Sequence, residues 1–235
     1  MCDVRKSVMR LVVMGLAAGL LAGTLTSAKA QNTKRPVRRA RRETNASRQA
    51  RIARTIQDTY SHRYEIFGGG GYLRFKSGDF TKKNNEISWA VNNSYYFNPK
   101  WAVIASAQGS FGDAHATYFN GFPQIARPQI NEYYFMAGPS YRFYMREKFA
   151  LSAQAQAGIG WGIFGGGSKD IPPAQLGLWS DQTKTAFSLG VSADYNIDPN
   201  LALRFTPLYM GTTFGGSVQN NLGFNLGAIY RFGRQ

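Results

Sequence analysis

The sequence has almost no cysteine or histidine, and it has no long apolar run beyond its first 30 residues. The only cysteine, Cys2, precedes the N-terminal apolar segment, so a chain cleaved after that segment holds none. Disulfides and cysteine-based metal sites are therefore excluded. No cluster of metal ligands and no Gly-Lys phosphate loop is present, so no metal or other cofactor is predicted. Since no later apolar run reaches about 18 residues, a transmembrane helix is not expected.

The first 30 residues have the three parts of a secretory signal peptide. Basic residues stand within the first ten positions, and the eleven-residue apolar core LVVMGLAAGLL follows at 11–21. The tripeptide AKA at 28–30 matches a small-x-small cleavage site. We therefore predict that residues 1–30 are a cleaved signal peptide; an uncleaved membrane anchor is the alternative.

Acidic residues are scarce, since 28 Lys and Arg stand against 13 Asp and Glu and the formal net charge is +15. Much of the excess lies at 31–60, where nine basic residues oppose Glu43 and Asp58. This segment is predicted to be a basic periplasmic arm, either disordered or forming a short helix from about Arg42. Its expected partners are anionic lipid headgroups or an anionic cell-wall polymer. Nucleic acid is not expected, because the chain carries an export signal.

From residue 61 onward, apolar and polar residues alternate in eight segments. This period of two is typical of β-strands with one apolar face. The connections after the second, fourth and sixth segments are tight, whereas three of the other four are long. Such alternation is typical of up-and-down barrels in outer membranes, and a soluble β-sandwich is the alternative. The predicted strands span approximately 63–75, 87–97, 101–112, 131–145, 149–164, 183–197, 201–213 and 218–232.

The fifth segment indicates which face meets lipid. One face carries eight apolar side chains from Phe149 to Ile163, and the other carries only Ala, Ser, Gln and Gly. A small polar face without Lys or Glu suits the interior of a narrow barrel. Aromatic residues collect near the segment ends, as expected of girdles at the lipid headgroups. We therefore predict an all-β fold, an eight-stranded antiparallel up-and-down transmembrane β-barrel at 61–235, preceded by the short basic arm.

Two details of this barrel stay open at the sequence level. Four consecutive glycines at 68–71 hide the phase of the first strand. Pro139 and Pro207 lie inside predicted strands, where proline cannot donate a ladder hydrogen bond. Each proline is therefore expected to mark either a bulge or a locally missing ladder hydrogen bond.

Few charged residues fall on the predicted interior face. They are Arg142, Asp194, Arg204 and Arg231, with Glu132 nearer the opposite end. Hairpin pairing places Asp194 opposite Arg204, and Arg231 lies on the neighbouring strand. Because buried charges need partners, we predict a lumen polar network of Arg142, Asp194, Arg204 and Arg231. A polar plug is the favoured interpretation of this network, and a channel gate is the alternative.

With its signal peptide, eight alternating segments and a last segment ending in Tyr230-Arg231-Phe232, the chain resembles a known family. It is similar, over about residues 61–235, to the small outer-membrane β-barrel proteins of Gram-negative bacteria, the OmpA-like and OmpX-like superfamily. The resemblance implies residence in the outer membrane, contact with its lipid and lipopolysaccharide, and folding by the barrel-assembly machinery. In that family an aromatic residue at the end of the last strand is part of the assembly signal, which corresponds here to Phe232 with Tyr230 two residues earlier. Residues 233–235 follow this aromatic and depart from the family pattern.

Three functions from different classes are weighed. A structural or surface-binding barrel with a plugged lumen is the favoured one, and a narrow pore is the alternative. A lipid A-modifying enzyme would need Asp113, His115 and Thr117 to converge in an outer loop, which nothing in their spacing requires, so no enzymatic activity is predicted. The second and third outer loops are rich in apolar residues and are expected to fold over the mouth or to bind a partner. These residues are Phe119, Phe122, Ile125, Ile171, Leu176, Leu178 and Trp179.

Overall fold

The computed structural model describes residues 44–78, 81, 83–114, 128–166 and 173–234. No helix within these ranges is long and apolar enough to cross a membrane. Several predictions concern residues outside the described ranges. These are the signal peptide at 1–30, the first part of the basic arm, and the loop residues His115, Thr117, Phe119, Phe122, Ile125 and Ile171.

One helix, α1 (Asn45–Tyr60), precedes the strands within the described ranges. It begins after Thr44, whose side-chain oxygen accepts a hydrogen bond from the backbone N–H of Ser47 at 3.3 Å. This N-cap satisfies one of the free backbone donors of the first turn. The helix therefore occupies the later half of the basic arm at 31–60, which was predicted to be either disordered or a short helix.

The described residues contain eight strands, whose bounds lie within three residues of the predicted ones. Each strand pairs antiparallel with the next, and the last pairs with the first, so the sheet is a closed barrel. The predicted eight-stranded up-and-down fold is confirmed. The strands are β1 (His62–Phe75), β2 (Asn84–Tyr96), β3 (Trp101–Asp113), β4 (Gln129–Met145), β5 (Phe149–Gly166), β6 (Gln182–Asp198), β7 (Leu201–Thr212) and β8 (Gln219–Arg234).

The short connections 97–100, 146–148 and 199–200 define the turn end of the barrel, and the long connections define its loop end. The apolar face of the strands points outward. Phe149, Leu189 and Leu226 are 53%, 52% and 56% exposed, whereas Asp194 is 1% exposed. A soluble sandwich would have buried the first three in a common core, so the outward face is one suited to lipid.

Aromatic rings form girdles on this outward face. Near the turn end, the ring of Tyr64 lies 5.4 Å from the rings of both Tyr95 and Phe232. Nearer the loop end, the rings of Tyr133 and Trp161 lie 5.9 Å apart. Amphipathic rings at two levels are expected where a barrel meets the two lipid headgroup layers.

The structure defines the phase of β1. Glu65 and Phe75 are buried in the lumen, so the odd-numbered residues of this strand face inward. The backbones of β1 and β8 approach closely at Gly69, where an added Cβ would lie 2.7 Å from the Cα of Gly227. Only glycine fits this approach without a shift of the backbone.

Pro139 and Pro207 interrupt pairing without causing a bulge. The register between β4 and β5 is the same on both sides of Pro139, and that between β6 and β7 is the same on both sides of Pro207. Each proline and the residue before it lack a pair in these two ladders, as expected because proline has no N–H, whereas each proline stays paired with the strand on its other side. Of the two predicted outcomes, the missing ladder bond is therefore correct and the bulge is wrong. The register shifts of these strand pairs lie between Gln129 and Asn131, Arg142 and Tyr144, and Asn196 and Asp198.

Candidate functional site

A buried ionic network fills the lumen toward the turn end. The structure brings together the four residues predicted for it, and adds Glu65 of β1. Glu65 accepts from three guanidinium groups: Arg142 Nη2 lies 2.5 Å and Arg231 Nε lies 2.8 Å from its Oε1, and Arg204 Nη2 lies 3.1 Å from its Oε2. We call Glu65, Arg142, Asp194, Arg204 and Arg231 the inner network.

Asp194 is the second acceptor of the inner network. It lies directly opposite Arg204 in the β6–β7 register, and the pair is bidentate, with Nε–Oδ1 at 2.6 Å and Nη2–Oδ2 at 2.8 Å. Arg231 Nη2 lies 3.4 Å from the same Oδ2. With three guanidinium groups and two carboxylates, the inner network carries a formal net charge of +1. Every member is at most 3% exposed, so these pairs act in a medium that excludes water.

Two uncharged residues add further hydrogen bonds to the inner network. The Tyr96 hydroxyl accepts from Arg142 Nη2 at 2.6 Å and donates to Glu65 Oε2 at 3.1 Å. Asn196 Oδ1 accepts from Arg231 Nη1 at 2.8 Å. Sequence analysis did not single out either residue, although Tyr96 shares the interior parity of β2 and Asn196 that of β6.

The last residue of α1 closes the turn end. Tyr60 is buried, and its hydroxyl donates to the backbone oxygen of Arg146 at 2.7 Å and accepts from Asn196 Nδ2 at 2.9 Å. The guanidinium carbons of Arg142 and Arg231 lie 4.9 Å and 5.8 Å from its ring centroid, which is cation–π range. Burial raises the pKa of the Tyr60 hydroxyl above its ordinary value of 10.0. Tyr60 therefore sits as a neutral cover over the inner network.

Four aromatic side chains close the loop end, and we call them the outer plug: Phe75, Phe164, Trp179 and Phe214. The ring centroids of Phe164 and Phe214 lie 5.4 Å apart, and those of Phe75 and Trp179 lie 6.2 Å apart. All four are buried, together with Leu176 and Leu178 of the third loop. The apolar loop residues Leu176, Leu178 and Trp179 thus fold into the mouth.

The remaining predicted residues occupy different places. Tyr230 and Phe232 lie on the outward face of β8, with their rings stacked 6.1 Å apart. Asp113 ends β3 at an exposed position, and its proposed partners His115 and Thr117 lie outside the described residues. Within the described ranges, no group of three or more His, Cys, Asp or Glu is placed to hold a metal ion.

Comparisons with known proteins agree with this architecture. The family model for the outer membrane protein beta-barrel domain matches residues 45–232. No curated protein matches the chain. The solved outer membrane protein OprG from Pseudomonas aeruginosa has a TM-score of 0.51 at 14% identity, over 74% of this chain and 97% of that chain. Ail, the attachment invasion locus protein of Yersinia pestis, has a TM-score of 0.49 at 23% identity, over 73% of this chain and 99% of that chain. The likeness to OprG concerns the fold alone.

Proposed function

Because the chain belongs to the outer membrane protein beta-barrel domain family, we propose that it is a closed, non-conducting barrel with a structural or surface-binding role in the outer membrane. The observation that carries this proposal is closure at two levels. The inner network under Tyr60 fills the turn end, and the outer plug fills the loop end. Eight strands enclose only enough room for side chains, so we expect two such layers to block the passage of ions.

The inner network also resists transient opening. Its three arginines and two carboxylates come from five strands, and displacing any one guanidinium leaves a buried carboxylate with fewer partners. Breaking a buried ion pair costs about 3–5 kcal/mol. An open state of that energy is populated roughly 1% of the time or less. We therefore favour a plug over a gate.

The surface-binding part of the proposal rests on charge at the loop end. Four basic side chains stand there against two exposed acids within the described ranges, Asp113 and Asp181. Phosphate groups of lipopolysaccharide match this excess, since they are anionic and lie at the same membrane surface. The basic residues are Arg74, Lys76, Lys83 and Lys184.

Conductance in planar bilayers tests the closed lumen. We expect the refolded full chain to give no stable unitary steps at any moderate voltage. Insertion is verified in the same sample by anomalous gel migration before boiling. Stable steps from inserted protein would establish the narrow pore and reject the plugged barrel.

Lipopolysaccharide binding tests the surface role. The double variant Arg74→Gln/Lys83→Gln removes two positive charges at the loop end, and we expect the detergent-solubilised protein to bind lipopolysaccharide micelles several-fold more weakly. Lys100→Gln, at an exposed position of the turn end, is the matched control and leaves binding unchanged. Equal losses in both variants would mean that the net charge, and not the loop end, controls binding.

A further inference from the structure

A second group of buried acids lies in the lumen near the outer plug. We call Glu86 of β2 and Glu132 of β4 the outer acid pair. Both side chains are 0% exposed, and their carboxyl groups lie within hydrogen-bonding reach of each other. Ser110 of β3 stands between them, since it pairs with Glu132 across the β3–β4 ladder and with Ser88 across the β2–β3 ladder.

The outer acid pair lacks the compensation that the inner network has. Neither carboxyl forms an ion pair with any described residue, whereas Glu65 touches three guanidinium groups. Apart from each other's carboxyl group, both oxygens of Glu86 and Oε1 of Glu132 have no hydrogen-bond partner among the described residues. Oε2 of Glu132 accepts from the Tyr134 hydroxyl at 2.6 Å. Buried carboxylates without partners cost far more than paired ones, so something must neutralise this pair.

The surroundings of the pair supply more unsatisfied oxygen atoms. The hydroxyl oxygens of Ser88 and Ser110 are buried, at 3% and 0% exposure, and neither has a hydrogen-bond partner within the part of the chain that the structure describes. They belong to inward-facing positions adjacent to Glu86 and Glu132 on the same three strands. The two carboxyl groups and the two serine hydroxyls thus belong to one part of the lumen wall, formed by β2, β3 and β4, and all of their possible ligand atoms are oxygens.

We propose that the outer acid pair, with Ser88 and Ser110, binds one Ca²⁺ ion inside the lumen. Oxygen-only donor sets are the ones that hard cations select, and one divalent cation balances the two carboxylates. Ca²⁺ is preferred to Mg²⁺, because it accepts irregular arrangements of six to eight oxygens at about 2.3–2.6 Å, whereas Mg²⁺ demands a near-ideal octahedron. Bound there, the ion links β2, β3 and β4 just beneath the outer plug.

The site is independent of conduction, so it goes beyond the proposed function. A closed barrel and a narrow pore both allow it, and each can be tested without the other. What the site adds is a coupling between external Ca²⁺ and the stability of the loop end, because a ligand that binds only the folded state stabilises it by mass action.

Direct binding tests the proposal on the full chain, refolded in detergent without lipopolysaccharide and freed of metal with a chelator. We expect calorimetry to show saturable binding of about one Ca²⁺ per chain, with Mg²⁺ weaker. Tb³⁺ serves as a luminescent substitute, since Tyr134 touches Glu132 and lies within range to sensitise it. Absence of saturable Ca²⁺ binding by the wild-type chain would overturn the proposal without any variant.

Variants locate the ion. Glu86→Gln and Glu132→Gln keep the side-chain size and remove one charge each, and we expect each to weaken Ca²⁺ binding about tenfold or more. Ser110→Ala removes a neutral ligand and weakens binding less. Glu147→Gln, in the turn at 146–148, is the control that retains binding.

If Glu86→Gln and Glu132→Gln both bind Ca²⁺ as the wild type does, the ion lies elsewhere and the assignment is wrong. If the wild type binds none while Glu86→Gln is the more stable protein, a proton neutralises the pair and the proposal also fails.

Discussion

Among the acidic residues that the structure describes, Glu65 forms ion pairs with the largest number of arginines. Its carboxylate joins Arg142, Arg204 and Arg231, which come from three different strands. Asp194 shares two of these arginines but does not reach Arg142 among the ion pairs of the described residues. Removing Glu65 therefore leaves three buried cations to a single carboxylate.

Replacing Glu65 with Gln tests this dependence. We expect the free energy of unfolding to fall by about 3–5 kcal/mol, because the buried guanidinium groups lose their shared counter-ion. The measurement is urea unfolding in phospholipid vesicles. Glu147→Gln is the control: its pair with Arg51, at 3.7 Å and partly exposed, is worth about 1 kcal/mol or less. Equal effects of the two substitutions would show that the inner network fills space without stabilising the barrel.

A glycine at the closing seam, where β1 pairs with β8, gives a second prediction at the scale of single residues. A side chain on Gly69 meets the backbone of β8, whereas an added Cβ on the adjacent Gly68 has no atom within 4 Å. We expect Gly69→Val to lower the unfolding free energy by about 1–3 kcal/mol through overpacking, and Gly68→Val to be nearly neutral. Urea unfolding of the matched pair measures both. A neutral Gly69→Val would mean that the seam widens freely.

The lumen site was only partly predictable at this scale, and the reason lies in particular residues. Strand parity alone placed Arg142, Asp194, Arg204 and Arg231 on the interior face. Glu65 was missed because the glycines at 68–71 carry no side chains from which a phase can be inferred. Tyr96 and Asn196 share the parity of their strands, but uncharged residues on an interior face give no signal of a specific partner.

At the scale of elements, the strands were predictable, the loop-end cover was predicted only as one of two alternatives, and the turn-end cover was not predicted. Alternation with a period of two reports which residues share a face, so the bounds of β1 to β8 follow from it. This alternation gives no information about which segment folds into the barrel mouth. Trp179 at the loop end and Tyr60 at the turn end reach the lumen through long-range contacts, such as that of Tyr60 with Arg146. Propensity and periodicity are local, and they do not predict such contacts.

The docking of α1 should depend on pH through Tyr60. Burial raises the pKa of Tyr60 in the docked state above its ordinary value of 10.0, so the docked helix favours the neutral phenol. The stabilisation is therefore fully present below about pH 10 and is lost as the pH rises through the raised pKa. We expect a spin label at Ser47→Cys to keep the same mobility up to about pH 10 and to become more mobile as the pH rises further.

Tyr60→Phe is the matched control for this prediction. It keeps the ring over the guanidinium groups but cannot ionise, and it loses the hydrogen bonds with Arg146 and Asn196. Its label is expected to be somewhat more mobile than in the parent at neutral pH, with no further change as the pH rises. If the Phe variant shows the same alkaline transition, another group controls the docking of α1.

At the scale of the whole molecule, two features define an inverted barrel. One is the order of short and long connections, and the other is the apolar face of the strands, which points outward instead of inward. Its packed interior holds the buried charges of the inner network toward the turn end and the aromatic outer plug at the loop end, and its outward face is the one suited to lipid. The girdle contacts, such as Tyr64 with Phe232, complete the outer surface where β8 meets β1. This inversion was predictable because the interior face of β5 lacks the Lys and Glu that a water-facing surface needs.

Because the outward face meets lipid, the loss of unfolding free energy caused by a charge on that face depends on how deep the position lies in the bilayer. Leu189 lies in the middle of β6 and Val218 lies just before β8 at the loop end, and both are 52% exposed. Leu189→Lys should cost about 2–4 kcal/mol in vesicles, because its ammonium group meets the bilayer midplane, whereas Val218→Lys should cost about 0–1 kcal/mol. Two equally exposed positions on a water-soluble barrel would respond alike. Urea unfolding in phospholipid vesicles therefore separates the two cases, and equal costs would reject the placement of the mid-strand surface in hydrocarbon.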